Sequence, residues 1–170
     1  MKTQRSVLVA YGTANGSTGR IAETVASVLR SRGLAAEALP ARTVTDLTPY
    51  DAVVVGGALY GGRWHKDARR FVRRHRGELT GRPVWFFSSG PLDATASQRD
   101  IPPVPGVRRA MADADVDEHV TFGGCLTDGA GGRMARMLLR NGKGGDHRDF
   151  AAVETWARRV AGNLGGTPRG

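Results

Sequence analysis

The segment that most constrains the fold covers residues 6–20, SVLVAYGTANGSTGR. It begins with the apolar run 7–10, which is too short for a helix and has the β-branched content of a buried strand. No large apolar side chain follows between residues 12 and 19. Apolar residues then recur at 21, 25, 28 and 29, the spacing of one helix face. The segment therefore predicts a strand, a small hydroxyl-rich loop and a helix in direct succession.

A loop of this kind predicts an anion site. The first turn of a helix carries roughly half a positive charge and four unpaired N–H groups. Thr13, Asn15, Ser17 and Thr18 add side-chain donors that can surround a phosphate. The alternative is an ordinary strand-to-helix turn in which a serine or threonine caps the helix.

The loop lacks the residues that mark other phosphate sites. It contains no lysine, which a nucleotide P-loop requires, and Gly16 and Gly19 supply only half of a dinucleotide fingerprint. A receiver domain would end the first strand on acidic residues, whereas Ala10 and Tyr11 stand there. The remaining pattern, TANGST at 13–18, resembles the FMN-phosphate loop of flavodoxins. Backbone dipoles in such a neutral loop suit a terminal phosphate of about −1.5 to −2 charge.

Strand and helix patterns alternate along the chain. Strand-like runs lie at 7–10, 36–39, 51–60, 84–87 and 119–125, and Gly56 and Gly57 are expected to close the third of them. Helical patterns lie between the runs, and a last helix is predicted at 149–163. This alternation predicts an α/β three-layer sandwich with helices on both faces of a five-stranded parallel sheet. The favoured strand order is 2-1-3-4-5, as in flavodoxin-like folds. A single domain at 1–164 followed by a disordered tail at 165–170 is expected.

Ligands of such sheets bind beyond the carboxyl ends of the strands, at the switch point between strands 1 and 3. Three predicted loops follow those ends here, at 13–18, 59–64 and 88–93. The predicted cofactor-binding residues are Thr13, Ala14, Asn15, Gly16, Ser17, Thr18, Leu59, Tyr60, Gly61, Gly62, Trp64, Ser88, Ser89, Gly90 and Asp93. Tyr60 and Trp64 are expected to stack on a flavin ring, although Trp64 also begins an apolar helix stripe that predicts packing. Gly61 or Gly62 can turn a backbone group toward flavin N5, because glycine tolerates a flipped peptide.

Four segments carry a resemblance that covers the whole chain. They are YGTANGSTGRIAE at 11–23, GGALYGGRWHKDARRFVRRHR at 56–76, GRPVWFFSSG at 81–90 and KGGDHRDFAAVETWARRVA at 143–161. The chain resembles the flavodoxin superfamily, and within it the branch that includes menaquinone-dependent protoporphyrinogen oxidases. The resemblance implies an FMN-dependent oxidoreductase whose partner is a quinone, a porphyrinogen-type molecule or a redox protein. No catalytic side chain is assigned, because the cofactor carries the redox step.

Two alternatives stay open: a one-electron carrier, and a flavin-free interaction domain of the same fold. Two departures from the family bear on them. Electron-carrier flavodoxins are generally acidic, whereas this chain has a net charge of +9 and a pI near 10.9. The aromatic residue that often follows the fourth strand is replaced by GPLD at 90–93.

Much of the positive charge falls on one predicted helix. Its cations are Arg63, Lys66, Arg69, Arg70, Arg73, Arg74 and Arg76. Such a run is either an ordinary solvated face or a surface for an anionic membrane or acidic partner; no motif accompanies it that would favour nucleic acid. The one cysteine and the four histidines show no disulfide or metal-ligand pattern. We therefore expect a cytoplasmic protein without a metal, peripheral at the inner membrane face if the helix binds lipid.

Overall fold

The computed structural model describes residues 4–13, 16–90, 100–116, 118–126, 136–137, 140, 142 and 145–165. The strands within them are β1 (Ser6–Gly12), β2 (Ala35–Pro40), β3 (Ala52–Tyr60), β4 (Arg63–Trp64), β5 (Val84–Ser89), β6 (His119–Phe122), β7 (Cys125–Leu126) and β8 (Gly145–Asp146). The α-helices are α1 (Ser17–Ser31), α2 (Lys66–Leu79), α3 (Pro105–Asp113) and α4 (Phe150–Gly165), and a 3-10 helix covers Ala41–Thr43.

The central sheet has the order β2-β1-β3-β5-β6, and all four of these pairings are parallel. Counting only the parallel strands, this is the predicted order 2-1-3-4-5, so the predicted fold class is confirmed. The short strand β4 returns antiparallel along β3, which the sequence did not predict. Strand β1 lies between β2 and β3, and its apolar run 7–10 is buried on both faces of the sheet.

Helices cover both faces of this sheet. Val7 and Val9 point into a core shared with α1 and α4, whereas Leu8 and Ala10 point into a second core shared with α2 and α3. The alternation follows from the two-residue period of a strand, which sends neighbouring side chains to opposite faces. The three-layer arrangement is therefore confirmed, and it leaves the carboxyl ends of the strands as the edge where loops gather.

The glycine pair in β3 does not end the strand, as the sequence suggested. The strand continues through Gly56 and Gly57 to Tyr60, because both positions pack against aromatic rings. A Cβ added at Gly56 would lie 2.0 Å from the ring of Phe87, and one at Gly57 would lie 2.5 Å from the ring of Trp64. The two glycines thus make room for rings on opposite faces of the sheet.

The last parallel strand is shorter than the predicted run 119–125. Strand β6 ends at Phe122, and Cys125 belongs instead to β7, which pairs antiparallel with β8 in a separate small sheet. The backbone of His147 crosses the chain here, since a Cβ on Gly123 would lie only 1.9 Å from its carbonyl oxygen. The chain after β6 is therefore diverted toward the start of α4.

Candidate functional site

The predicted phosphate loop links β1 to α1. Thr13 follows the end of β1, and its Oγ1 accepts a hydrogen bond of 3.2 Å from the N–H of Gly16. Gly16 is the N-cap residue of α1 and adopts a left-handed backbone with φ of 81°, a conformation that favours glycine. Ala14 and Asn15, which were also predicted to bind the cofactor, lie outside the described residues.

Thr18 shows that the start of α1 suits an anion. Its side chain is fully buried, and its Oγ1 has no hydrogen-bond partner among the described residues. The helix also has no side-chain cap bond and no acidic residue in its first turn. Because a buried hydroxyl without a partner costs about 1–3 kcal/mol, a ligand oxygen at this position would remove an existing penalty. The loop therefore fits a terminal phosphate.

A pocket of about 240 Å³ opens beside this loop. It is lined by Tyr11, Thr13, Gly16, Gly19, Pro40, Arg42 and Asp67. The sequence did not single out Arg42 or Asp67, because they lie on distant segments that only the strand order brings together. Their opposite charges place one cation and one anion at the wall of the pocket.

His65 is a further neighbour of the loop that no sequence motif indicated. It caps the start of α2, where its Nδ1 accepts a hydrogen bond of 3.2 Å from the N–H of Asp67. Burial lowers the pKa of His65 and so favours the neutral ring. Because Nδ1 accepts this hydrogen bond, the neutral ring carries its proton on Nε2. A Cβ on Gly12 would lie 3.1 Å from His65 Nδ1, so α2 begins directly against the end of β1.

The three predicted loops share one edge of the sheet. Gly12 pairs with Gly57, and Gly57 in turn pairs with Ser88, so the ends of β1, β3 and β5 lie side by side. Beyond them, a Cβ on Gly90 would lie 3.2 Å from the Cβ of Leu59. The topology therefore brings the described parts of all three segments together, as the sequence predicted.

The second segment is a tight hairpin rather than an open loop. Leu59 and Tyr60 are half-buried at the end of β3, and the chain reverses at Gly61 and Gly62. These glycines have φ values of 55° and 75°, and two consecutive positive φ angles are the requirement of a two-residue type I′ turn. Glycine is thus needed at this turn, and its contact with the cofactor stays a prediction.

Trp64 lies in the core. Only 2% of its surface is exposed, its ring packs over Gly57, and its centroid is 5.0 Å from that of Phe86. The expected stacking of Trp64 on a flavin is therefore not supported, because both neighbours enclose the ring on the α2 side of the sheet. The packing alternative describes this residue, and Tyr60 is the aromatic side chain of the hairpin that keeps an accessible surface.

The third segment begins inside a strand. Ser88 and Ser89, expected in a loop, are the buried last residues of β5, and Gly90 follows them. Ser88 Oγ lies 2.8 Å from Nε2 of His119, whose pKa burial lowers to about 4, so the pair is a neutral hydrogen bond. Ser89 Oγ has no partner among the described residues. Asp93 lies outside them, and its predicted role remains a prediction.

The seven cations predicted on the basic helix are all exposed on β4 and α2. Ala68, Phe71, Val72, His75 and Leu79 form the opposite, buried side of α2. We call the exposed side the basic face. None of the helices in the described part of the chain is long and apolar enough to cross a membrane.

Comparison with known proteins agrees with this geometry. The model of the flavodoxin domain family matches residues 8–139, which include β1 from Leu8 onward, the phosphate loop, the glycine hairpin and β5. The chain belongs to the flavodoxin domain family. Membership of this family confirms FMN as the predicted cofactor, and the buried Thr18 hydroxyl is the structural feature that fits it.

Individual relatives are more distant. The chain is 30% identical over 83 residues to protoporphyrinogen IX dehydrogenase [quinone] of Escherichia coli strain K12. That match covers 48% of this chain and 46% of the relative, so it spans about half the length of each.

Solved structures show the same fold at lower identity. A cysteine-to-serine mutant of the Pseudomonas aeruginosa flavodoxin has a TM-score of 0.64 at 19% identity and covers 95% of this chain and 99% of that one. The rubredoxin oxygen:oxidoreductase of Desulfovibrio gigas has a TM-score of 0.63 at 13% identity, covering 96% of this chain and 37% of that one. At such identities these structures establish the fold alone.

Proposed function

We propose that the protein is an FMN-dependent oxidoreductase that moves electrons between a porphyrinogen-type substrate and a quinone. The observation that carries the proposal is the 30% identity to protoporphyrinogen IX dehydrogenase [quinone] within a chain of the same fold family. The strong positive charge adds support, since carriers of the flavodoxin family are generally acidic. Bound FMN would supply the redox chemistry.

In this proposal the residues of the chain bind and orient the cofactor. Thr13, Ser17 and Thr18 would hold the phosphate at the start of α1, on the turn that Gly16 shapes with its left-handed backbone. Tyr60 would contact the flavin ring, and Gly61 or Gly62 would present a backbone group to the ring edge. Trp64 and the last residues of β5 are buried beside this site, and they would exclude water from the side of the cofactor that faces the core.

The test is oxidation of a porphyrinogen by a menaquinone analogue, followed through the fluorescence of the porphyrin product under anaerobic conditions. Protein reconstituted with FMN should give quinone-dependent turnover, and free FMN without protein is the control. A potentiometric titration accompanies this assay. If two electrons are transferred together, the potential changes by about 30 mV for each tenfold change in the ratio of oxidised to reduced flavin. Two separate one-electron steps, each with a slope of about 59 mV per tenfold change in that ratio, would identify a carrier instead if no porphyrinogen is oxidised. Failure to bind FMN at all would leave the flavin-free interaction domain.

We further propose that the basic face binds an anionic membrane surface, where a quinone would be available. Each exposed cation near such a surface contributes about 1 kcal/mol. Because no described helix can span the bilayer, attraction of this kind would be peripheral and sensitive to salt. The Debye length falls from about 10 Å at 0.1 M salt to about 3 Å at 1 M.

Co-sedimentation with vesicles tests this second proposal. The variant Arg70→Gln/Arg73→Gln/Arg74→Gln should lose binding to anionic vesicles at low salt while keeping its affinity for FMN. A matched control, Arg32→Gln/Arg158→Gln/Arg159→Gln, removes the same charge from exposed positions on the α1 and α4 side. If the wild type ignores anionic vesicles, or both variants bind them equally, the basic face is only a solvated surface.

A further inference from the structure

The salt bridge between Arg148 and Asp146 lies against the start of α1, outside the three segments that are predicted to bind the flavin. We infer that Arg148, fixed by Asp146, is a positioning residue for the phosphate-binding turn and gives the site its preference for a phosphorylated flavin. The inference rests on the proposed binding of the FMN phosphate at 13–18. It adds a cation to a loop that contains none of its own before Arg20.

The pair has the geometry of a fixed fork. Nε and Nη2 of Arg148 donate to Oδ1 and Oδ2 of Asp146 at 2.9 and 2.7 Å, and the backbone N–H of Arg148 donates to the same Oδ1 at 3.1 Å. Two parallel bonds of this kind fix the guanidinium plane as well as its position. Asp146 is itself placed by the antiparallel pairing of β8 with β7.

The third nitrogen of the guanidinium points to α1. Nη1 of Arg148 donates to the carbonyl oxygen of Ser17 in a long hydrogen bond of 3.4 Å. The side chain is only 7% exposed, and its guanidinium carbon lies 5.1 Å from the ring centroid of Phe150. Arg148 therefore links the first residue of α1 to the segment that precedes α4, across 131 positions in sequence.

The charge of Arg148 is unusual at this position. Helix N-termini already carry partial positive charge and favour anions, yet α1 has no acidic residue in its first turn. Arg20, one turn into α1, lies 5.9 Å from the same Phe150 ring, so two guanidinium groups and one carboxylate gather here. Thr18 adds a buried hydroxyl that has no partner among the described residues. A phosphate dianion is the ligand that would compensate both features at once.

This arrangement gives a specific role to each member. Asp146 holds the fork of Arg148 but neutralises only one of the two guanidinium charges. Arg148 then fixes the first turn of α1 through Ser17 and adds positive potential without requiring direct contact with the ligand. Neutral flavins gain nothing from that potential, whereas phosphorylated flavins gain in proportion to their charge.

The experiment compares the dissociation constants of FMN and riboflavin by quenching of flavin fluorescence. Arg148→Gln should weaken FMN at least tenfold and leave riboflavin within about twofold. Arg148→Lys keeps the charge but loses the bidentate fork, and it should fall between wild type and Arg148→Gln. The matched control is Arg158→Gln, which breaks an exposed pair with Glu154 on α4 and should change neither constant.

A second readout does not involve flavin. Inorganic phosphate should raise the melting temperature of the flavin-free wild type more than that of Arg148→Gln, with equal ionic strength of sodium chloride as the reference. An equal rise in both proteins, or an equal loss of FMN and riboflavin affinity in Arg148→Gln, would overturn the inference. If Arg148→Gln does not fold, Arg148→Lys and Asp146→Asn decide: an unchanged FMN-to-riboflavin ratio in both overturns it. A wild type that binds the two flavins equally would instead refute the phosphate site itself.

Discussion

Replacing Thr18 with valine should have opposite effects on the flavin-free protein and on FMN binding. Valine keeps the shape of the side chain and removes only the hydroxyl, which is fully buried and has no partner among the described residues. Without flavin, the loss of an unsatisfied hydroxyl should leave stability unchanged or raise it by up to about 1–3 kcal/mol. In a protein of 170 residues, each kcal/mol corresponds to about 2–4 °C in melting temperature.

Binding of FMN should weaken in the same variant. A hydrogen bond to a charged group contributes about 1.5–3 kcal/mol, which corresponds to a loss of roughly 10-fold to 150-fold in affinity. Riboflavin, which lacks the phosphate, should bind as it does to the wild type. Fluorescence quenching gives both constants, and thermal unfolding of the flavin-free protein gives the stability.

Thr24→Val is the matched control for this substitution. Its hydroxyl lies farther along α1 and donates to the carbonyl oxygen of Arg20 at 2.9 Å, so it has a partner and no part in the phosphate site. That variant should keep both flavin affinities. The reasoning fails if Thr18→Val loses FMN and riboflavin equally, or if it destabilises the flavin-free protein by more than the control does.

Other predictions concern the core and pH. Gly56→Ala places a Cβ 2.0 Å from the Phe87 ring and should lower the free energy of unfolding by about 1–3 kcal/mol or more. Gly77→Ala, which has open space on α2, should raise the free energy of unfolding by up to about 1 kcal/mol. Urea denaturation measures both changes. Burial lowers the pKa of His119 to about 4 from 6.5, so the unfolded chain binds an extra proton between these values and stability should decrease as the pH falls through this window. His119→Gln should flatten that decrease; an unchanged slope would contradict it. The hydrogen bond from Arg148 holds the pKa of Asp146 at about 2, below its ordinary 3.8. Asp146 should therefore lose its contribution to the free energy of unfolding only as the pH falls from 3.8 toward 2, and Asp146→Asn should change the pH dependence of stability in that range.

The sheet and the phosphate loop could be predicted because their signals are local. A β-branched run, a loop of small residues and the change to helical spacing all lie within residues 6–29. Strand order then followed from the handedness of crossovers and the number of strands. The register, which sets Gly12, Gly57 and Ser88 side by side, was implied by that order without any contact having to be known.

The sequence-based predictions were wrong where packing between distant segments determines the local structure. Gly56 and Gly57 were interpreted as the end of a strand because glycine has low strand propensity, but the rings of Phe87 and Trp64 occupy the space of their missing side chains. Trp64 fitted both a flavin contact and a core stripe, and only its position over Gly57 separates the two. Gly123 gave no sign that the backbone of His147 crosses it.

The positive charge of the chain has two physically different parts. On the basic face the cations are exposed, so salt screens them, and removing Arg70, Arg73 and Arg74 should leave the fold unaffected. Arg148 is nearly buried and paired, so its charge acts at short range on the first turn of α1 and is screened far less. High salt should therefore abolish any attraction between the basic face and an anionic surface while preserving most of the preference for FMN over riboflavin. The net charge of +9 alone cannot distinguish these two parts. Only the fold shows which cations are exposed to water and that Arg148 lies against a helix terminus.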